Sequence, residues 1–279
     1  MRLVTFRYQG RDAVGALVAG QLLDISRAYA AHLCSAGIPH GDVLARAQLP
    51  EEMLGFLAAG ERSLVAAGRA LEAVSGMVGR GEAPIGIRGE PLLLSLDQVR
   101  LLAPVPRPGK IICIGLNYRD HAEEVGLTLP ERPTIFTKFS TSVVGPGDPV
   151  VLSPITAQVD YEVELAVVIG KTARAVREEQ ALDYVAGYTV LNDVSARDLQ
   201  LQQGGGQWVW GKSLDSFCPM GPVLVTRDEL PDPGNLMVSL RLNGETMQSS
   251  NTANLVFGVS QLVSFLSQAI TLEPGDVIA

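Results

Sequence analysis

The spacing of apolar positions changes several times along the chain, and each change predicts a different kind of element. Residues 3–8 (LVTFRY) and 13–20 (AVGALVAG) are β-rich runs, and the Gln9-Gly10-Arg11-Asp12 text between them is a hairpin-type turn. From about residue 27 to 77 the text becomes rich in Ala and Leu at helical spacing, as in Leu54, Leu57 and Ala58, then Leu64, Ala67 and Leu71. Residues 79–90 are Gly-rich and mixed in charge, the composition of a linker. Pro104, Pro106 and Pro108 rule out a helix and lead into the apolar strand that follows Lys110. From there strands dominate, at 111–115, 134–137, 161–169, 184–191, 222–226 and 236–242. The helical pieces are short, near 194–203 and 259–269. The pattern predicts a β-rich α+β fold without regular strand–helix alternation. It divides into a small N-terminal α+β domain over 1–80, a linker and entry strand over 81–105, and a larger domain over 106–279.

One strand carries chemistry. In residues 159–169 (VDYEVELAVVI) side chains alternate between faces, so Val163, Leu165, Val167 and Ile169 share one face while Glu162, Glu164, Ala166 and Val168 share the other. Apolar residues on both faces at one end mark a buried strand. Two carboxylates beside that apolar stretch need compensation by a bound metal, by Arg or Lys, or by solvent at an exposed strand end. A third acid, Asp193, closes the apolar run 188–192, and Ser195 reads as an N-cap for the short helix beyond. Asp193, Arg197 and Gln200 stand at i, i+4 and i+7, one face of a helical turn. Asp193 is either an ordinary capping acid with an ion pair or a third ligand. Three carboxylates without His or Cys at ligand spacing select a hard cation, Mg²⁺ or Mn²⁺, over zinc.

The candidate base is His121, which follows the strand 111–115 and the loop 116–120, whereas His32 and His40 lie in the helical N-terminal part. Glu124, three residues on, can orient the imidazole and raise its basicity, the pairing used to activate water; the same spacing also occurs in plain surface turns. Lys138 and Lys212 are cations set in apolar or aromatic text, able to bind a substrate carboxylate or to snorkel to solvent. The segment 206–213 (GQWVWGKS) satisfies the letters of a phosphate-binding loop. It lacks the preceding strand and the following helix, and two Trp side chains fill the supposed cradle, so no nucleotide is expected.

Composition narrows the field. A net charge of −8 argues against a nucleic-acid partner. Three cysteines (Cys34, Cys113, Cys218) without a CxxC pair suggest neither disulfides nor structural zinc. No apolar run reaches the roughly 18 residues of a membrane helix, and the N-terminus lacks the h-region of a signal peptide. A soluble, cytoplasmic protein is the expectation.

At these residues the sequence resembles the fumarylacetoacetate hydrolase superfamily, in its bacterial two-part form with a small N-terminal domain. The blocks that carry the resemblance are GLNYRDHAEEVG, PTIFTKFSTSVVGPGDPV, VDYEVELAVVIGK, GYTVLNDVSARDLQ, WVWGKSLDSFCPMGP and LRLNGETMQSS, in family order from residue 110 onward. The resemblance implies a mixed β-sandwich roll, usually a homodimer. It implies that Glu162, Glu164 and Asp193 hold Mg²⁺, Mn²⁺ or Ca²⁺, that His121 and Glu124 activate water, and that Lys138, Arg197, Gln200 and Lys212 line the site of a small anionic oxo acid. The leading activity is metal-dependent hydrolysis of a C–C bond in a 1,3-dioxo acid such as an acylpyruvate, through an enolate. Isomerisation or decarboxylation of hydroxydienoate or oxaloacetate-type acids is the alternative. The family continues past a segment like residues 272–279 with a Thr-Gly-Thr-Pro-type loop that touches substrate, so a further segment is expected; without it, a non-catalytic metal-binding module is the remaining reading.

Overall fold

The computed structural model describes residues 1–126 and 128–279. It opens with β1 (Arg2–Tyr8), β2 (Arg11–Val18) and β3 (Gln21–Asp24), followed by α1 (Ile25–Ser35), α2 (Gly41–Gln48), α3 (Met53–Ala58) and α4 (Glu61–Gly79). The hairpin turn is tighter than the four-residue text suggested. Gln9 (φ 49°) and Gly10 (φ 78°) alone make it, both left-handed as a two-residue primed turn requires, while Arg11 and Asp12 already pair with Tyr8 and Arg7.

The rest of the chain adds β4 (Leu93–Leu94), β5 (Arg100–Leu102), β6 (Ile111–Gly115), α5 (Arg119–Val125), β7 (Thr134–Lys138), β8 (Val143–Val144), β9 (Val159–Asp160), β10 (Val163–Ile169) and β11 (Val185–Asn192). Then come β12 (Ser195–Ala196), α6 (Val209–Lys212), β13 (Cys218–Pro219), β14 (Leu224–Thr226), β15 (Met237–Leu242), β16 (Glu245–Asn251), α7 (Val259–Ala269) and β17 (Val277–Ile278). Eleven strands form one sheet in the order β4-β3-β2-β1-β14-β11-β10-β17-β6-β7, with β5 also on β1. Every pairing in it is antiparallel except β17 with β6. This is the mixed, sheet-dominated α+β architecture that the strand-rich text predicts. The strands of residues 1–24 join it directly, through Arg2↔Val225 and Leu3↔Leu224.

The period-two alternation decides where the sheet's faces go. Ile111, Cys113, Ala166, Val168 and Val277 point into a core shared with α1 and α4, whereas Ile112, Ile114, Val167, Ile169 and Ile278 point into a second core under Leu262, Val263 and Leu266 of α7. The centre of the sheet is therefore covered on both sides, which is why its strands read as continuous apolar runs. On β10 the first three residues are half-buried and the last four buried, so the strand has a dry end and an acid-bearing end. No helix among the described residues is long and apolar enough to cross a membrane.

One local expectation fails. Ser195 does not cap a helix. It pairs with Asp160 in the short β9–β12 ladder, and its hydroxyl donates to the Asp193 carbonyl at 2.8 Å. The turn that follows, Asp198–Gln203, is a π-helix.

Candidate active site

The acid-bearing end of β10 and the exit of β11 are locked together by backbone. Val163 pairs with Asn192, the Asp193 amide donates to the Glu162 carbonyl at 2.7 Å, and the Glu162 amide donates to Asn192 Oδ1 at 3.0 Å. This reciprocal pairing brings Glu162 and Asp193 to one place although they are far apart in sequence. Glu164 stands two residues along β10 on the same face.

Two lysines complete the arrangement, one from the last residue of β7 and one from α6. Lys138 Nζ donates to Asp193 Oδ1 at 2.7 Å, to the Val194 carbonyl at 3.1 Å and to the Lys212 carbonyl. Lys212 Nζ reaches Asp193 Oδ2 at 2.8 Å and Glu162 Oε2 at 2.6 Å, and lies 5.0 Å from the Phe136 ring centroid. Both ammonium groups are out of solvent, with side-chain exposures of 0% and 2%. Each Asp193 oxygen thus has its own lysine. Gly211 makes the approach of α6 feasible, because a Cβ there would lie 2.5 Å from the Gln200 amide nitrogen and 2.6 Å from the Ala196 carbonyl. At the rim, Arg197 Nη2 meets Glu162 Oε1 at 2.6 Å and Asp160 Oδ2 at 2.8 Å, and Nη1 donates to Gln200 Oε1 at 3.0 Å.

The electrostatics divide the acids. Burial works against the Asp193 charge, but Lys138 and Lys212 outweigh it and hold the carboxyl below its ordinary range. Burial likewise opposes the Lys212 and Arg197 charges, and Asp193 and Glu162 for the first, Glu162 and Asp160 for the second, raise both pKa values regardless. Glu164 is the exception. Burial pushes its carboxyl well up, and the Glu162 and Asp193 charges add to the push against the opposing Lys212 charge. Four carboxylates (Asp160, Glu162, Glu164, Asp193) face three cations, and Glu164 is the one left over.

Of the three predicted metal ligands, Glu162 and Asp193 meet at Lys212, and Glu164 follows two residues along the same strand face. Lys212 stands between Glu162 and Asp193, and among the described residues no three His, Cys, Asp or Glu side chains close on an ion position as they stand. The donor set nevertheless fits a dication. It consists of three carboxylates, the oxygen ligands a hard ion takes, and one of them is an unpartnered acceptor in a partly dry site. Glu162, Glu164 and Asp193 would hold such an ion, with Lys212 shifting off one shared oxygen.

The predicted base sits apart from this cluster. His121 and Glu124 lie on α5 at 3.8 Å (Nδ1 to Oε2), a loose contact between side chains that are 49% and 80% exposed. Among the described residues neither bonds to the carboxylate cluster. The start of α5 is anchored more firmly than its middle. Asn117 exchanges two side-chain bonds with the Phe257 backbone (3.1 and 2.9 Å), and Asp120 accepts from Ser250 at 2.5 Å and Asn254 at 2.9 Å.

Sequence reasoning passed over two residues of this neighbourhood. Asp160 shares Arg197 with Glu162, and a hint lay in its place two residues before the Glu162-x-Glu164 pair. Tyr118 carries a buried hydroxyl with no partner among the described residues, and only its position just ahead of His121 could have singled it out. A cavity of about 670 Å³ lies beside the cluster along β7 and is lined by Phe136, Thr137, Lys138, Gln207 and Trp208 among others, with no carboxylate in its wall.

Residues 110–279 match the family model described as the fumarylacetoacetate (FAA) hydrolase C-terminal domain. The chain is 47% identical over 230 residues to the mitochondrial oxaloacetate tautomerase Fahd2a of Rattus norvegicus, covering 82% of this chain and 68% of that one. Among solved structures, the fumarylacetoacetate hydrolase of the psychrophile Exiguobacterium antarcticum superposes with a TM-score of 0.74 at 35% identity, over 100% of this chain and 85% of the other. The 5-carboxymethyl-2-hydroxymuconate delta-isomerase of Mycobacterium smegmatis does so with a TM-score of 0.68 at 30% identity, over 100% and 86%. Tautomerase, hydrolase and isomerase all occur among proteins similar to this chain.

Proposed function

The chain belongs to the fumarylacetoacetate hydrolase family, and on that premise we propose that it is a divalent-metal-dependent enzyme interconverting the keto and enol forms of a small 2-oxo diacid of the oxaloacetate class. The observation that carries this reading is the buried cluster in which Lys138, Lys212 and Arg197 pair with Asp193, Glu162 and Asp160 at the acid-bearing end of β10. A bound dication would supply Lewis-acid polarisation of the 2-oxo group, making the neighbouring C–H acidic. It would also leave the cluster net positive, which suits a dianionic substrate.

The chain's own residues do the rest. Lys138 and Lys212 keep Asp193 ionised, and Lys212 also holds Glu162 in place. Arg197, about a quarter exposed at the rim, has one Nη1 hydrogen beyond its bonds to Asp160, Glu162 and Gln200 to offer a substrate carboxylate. His121 takes the proton from the carbon next to the oxo group and returns one to the enol oxygen, or the reverse. No water enters and no C–C bond breaks, so a loosely held, half-exposed imidazole meets the demand. From sequence, hydrolysis led the alternatives; the 47% identity to a tautomerase moves proton transfer ahead of it.

Hydrolysis of a 1,3-dioxo acid stays as a second reading because His121 and Glu124 do sit in a pairing that can tighten around a water. A substrate panel separates the two. Loss of the enol form of oxaloacetate is followed by ultraviolet absorbance with Mn²⁺, Mg²⁺ or EDTA, against metal-only blanks, beside cleavage of acetylpyruvate and fumarylpyruvate. Tautomerisation that depends on metal and on His121 is expected. An acylpyruvate cleaved with the higher kcat/KM would make the chain a hydrolase, and full turnover under complete chelation would remove the metal.

A further inference from the structure

Among the described residues no side-chain bond joins α5, the helix of His121, to the carboxylate cluster, yet one strand grips both. Gln248 and Ser250 share one face of β16, with the exposed Ser249 between them on the other. Gln248 Oε1 accepts the amide of Val163 at 2.8 Å, and Val163, the first residue of β10, lies between Glu162 and Glu164. Ser250 Oγ donates to Asp120 Oδ2 at 2.5 Å, and Asn254 Nδ2 donates to the same oxygen at 2.9 Å. The other Asp120 oxygen accepts the His121 amide at 3.0 Å. The chain leaving β16 then runs along the entry to α5, where Leu255 bridges to Tyr118 and the Val256 amide donates to the Asn117 carbonyl at 2.8 Å. The β15–β16 hairpin stands outside the eleven-stranded sheet, and none of its side chains enters either main core. A hairpin so placed contributes little stability of its own, so its side-chain bonds point to another task.

We propose that Gln248 and Ser250 are positioning residues, and that β16 is a bracket setting the base-bearing helix against the acid-bearing strand. Gln248 fixes the bracket to β10, and Ser250 fixes it to Asp120 and so to the backbone of His121. This rests on the reading above in which His121 moves the proton. A base displaced by about 1 Å can cost about 10²-fold in rate. The two grips act in series, so releasing either loosens the same link, and releasing the second adds nothing further.

The experiment compares wild type, Gln248→Met, Ser250→Ala, the double variant, and Ser249→Ala as control. Oxaloacetate tautomerisation with Mn²⁺ gives kcat and KM, and hydrogen–deuterium exchange is followed over residues 119–124 and over β11. The expected result is kcat lowered about 10- to 100-fold in each single variant, with KM within about twofold of wild type. Exchange should quicken over 119–124 and stay unchanged in β11, which reports global opening. The double variant should be no slower than the worse single one, and Ser249→Ala should match wild type. Losses that multiply in the double variant, a change confined to KM, or exchange quickened equally in β11 would each overturn the bracket. A wild type without tautomerase turnover overturns the functional reading instead, and exchange then decides the bracket alone. In that case faster exchange over 119–124 in Gln248→Met upholds it and unchanged exchange there overturns it.

Discussion

Replacing Lys138 by Met tests the buried charge cluster most directly. The two side chains are similar in length, so packing is largely kept while the ammonium that holds Asp193 Oδ1 is removed. Asp193 is then left buried with Lys212 as its one remaining cation. Breaking a buried pair by deleting one partner costs about 3–5 kcal/mol, because the other charge stays desolvated. Against a total stability of about 5–15 kcal/mol that is a large fraction. At about 2–4 °C per kcal/mol, the melting temperature of the metal-free protein should fall by about 6–20 °C. Urea unfolding of the metal-free protein gives the energy, and the double variant Lys138→Met/Asp193→Asn should recover about 0.5–3 kcal/mol of coupling. With one cation gone, Mn²⁺ should bind the single variant more tightly than it binds wild type. A loss under about 1 kcal/mol at unchanged m-value would refute the reasoning, since that is the worth of an exposed pair. Weaker Mn²⁺ binding would refute the charge balance assigned to the site.

Three further outcomes follow from other parts of the structure. His121→Ala should lower tautomerisation about 10²- to 10⁴-fold, read by steady-state kinetics, with Mn²⁺ content by elemental analysis unchanged. Gly211→Ala should destabilise by about 1–3 kcal/mol in chemical denaturation, because its Cβ would force α6 away from the 196–200 turn. Burial alone would raise the Asp120 carboxyl, but Ser250, Asn254 and the His121 amide outweigh it and hold the pKa below its ordinary range. A depressed pKa contributes stability above the unfolded value near 3.9, and that contribution is lost as pH falls through the folded value. Asp120→Asn should therefore be less stable by about 1 kcal/mol at neutral pH and indistinguishable from wild type in strong acid, as urea melts at several pH values would show.

Much of the fold was legible because the signals were local. The helix at 259–269 and the strand at 111–115 came out at their observed bounds, since each shows its own period. The two-sided burial of β10 was also readable, because Ala166 and Val168 alternate with Val167 and Ile169 into different cores. Pairing was not legible. Nothing in the text at Arg2 says that it will lie beside Val225, and Ser195 looked like a helix cap because its partner Asp160 is far back in the sequence. The meeting of Glu162 and Asp193 was anticipated, but Lys138 and Lys212 were read as facing substrate or solvent. Their side chains turn inward onto Asp193 and Glu162, a choice set by burial from three elements at once.

The position of β17 has a consequence for how the protein is made. Val277 and Ile278 fill the slot between β10 and β6, pairing with both. A ribosome that has released only the first 270 residues leaves those two strands with open, Val- and Ile-rich edges, able to recruit one another from neighbouring nascent chains. The same delay applies to β1, which must wait for β14. Folding of such non-local pairings is slow, so the two apolar cores on the faces of this sheet set only after residue 278 has been made, and overexpression at low temperature should give more native protein than fast synthesis does.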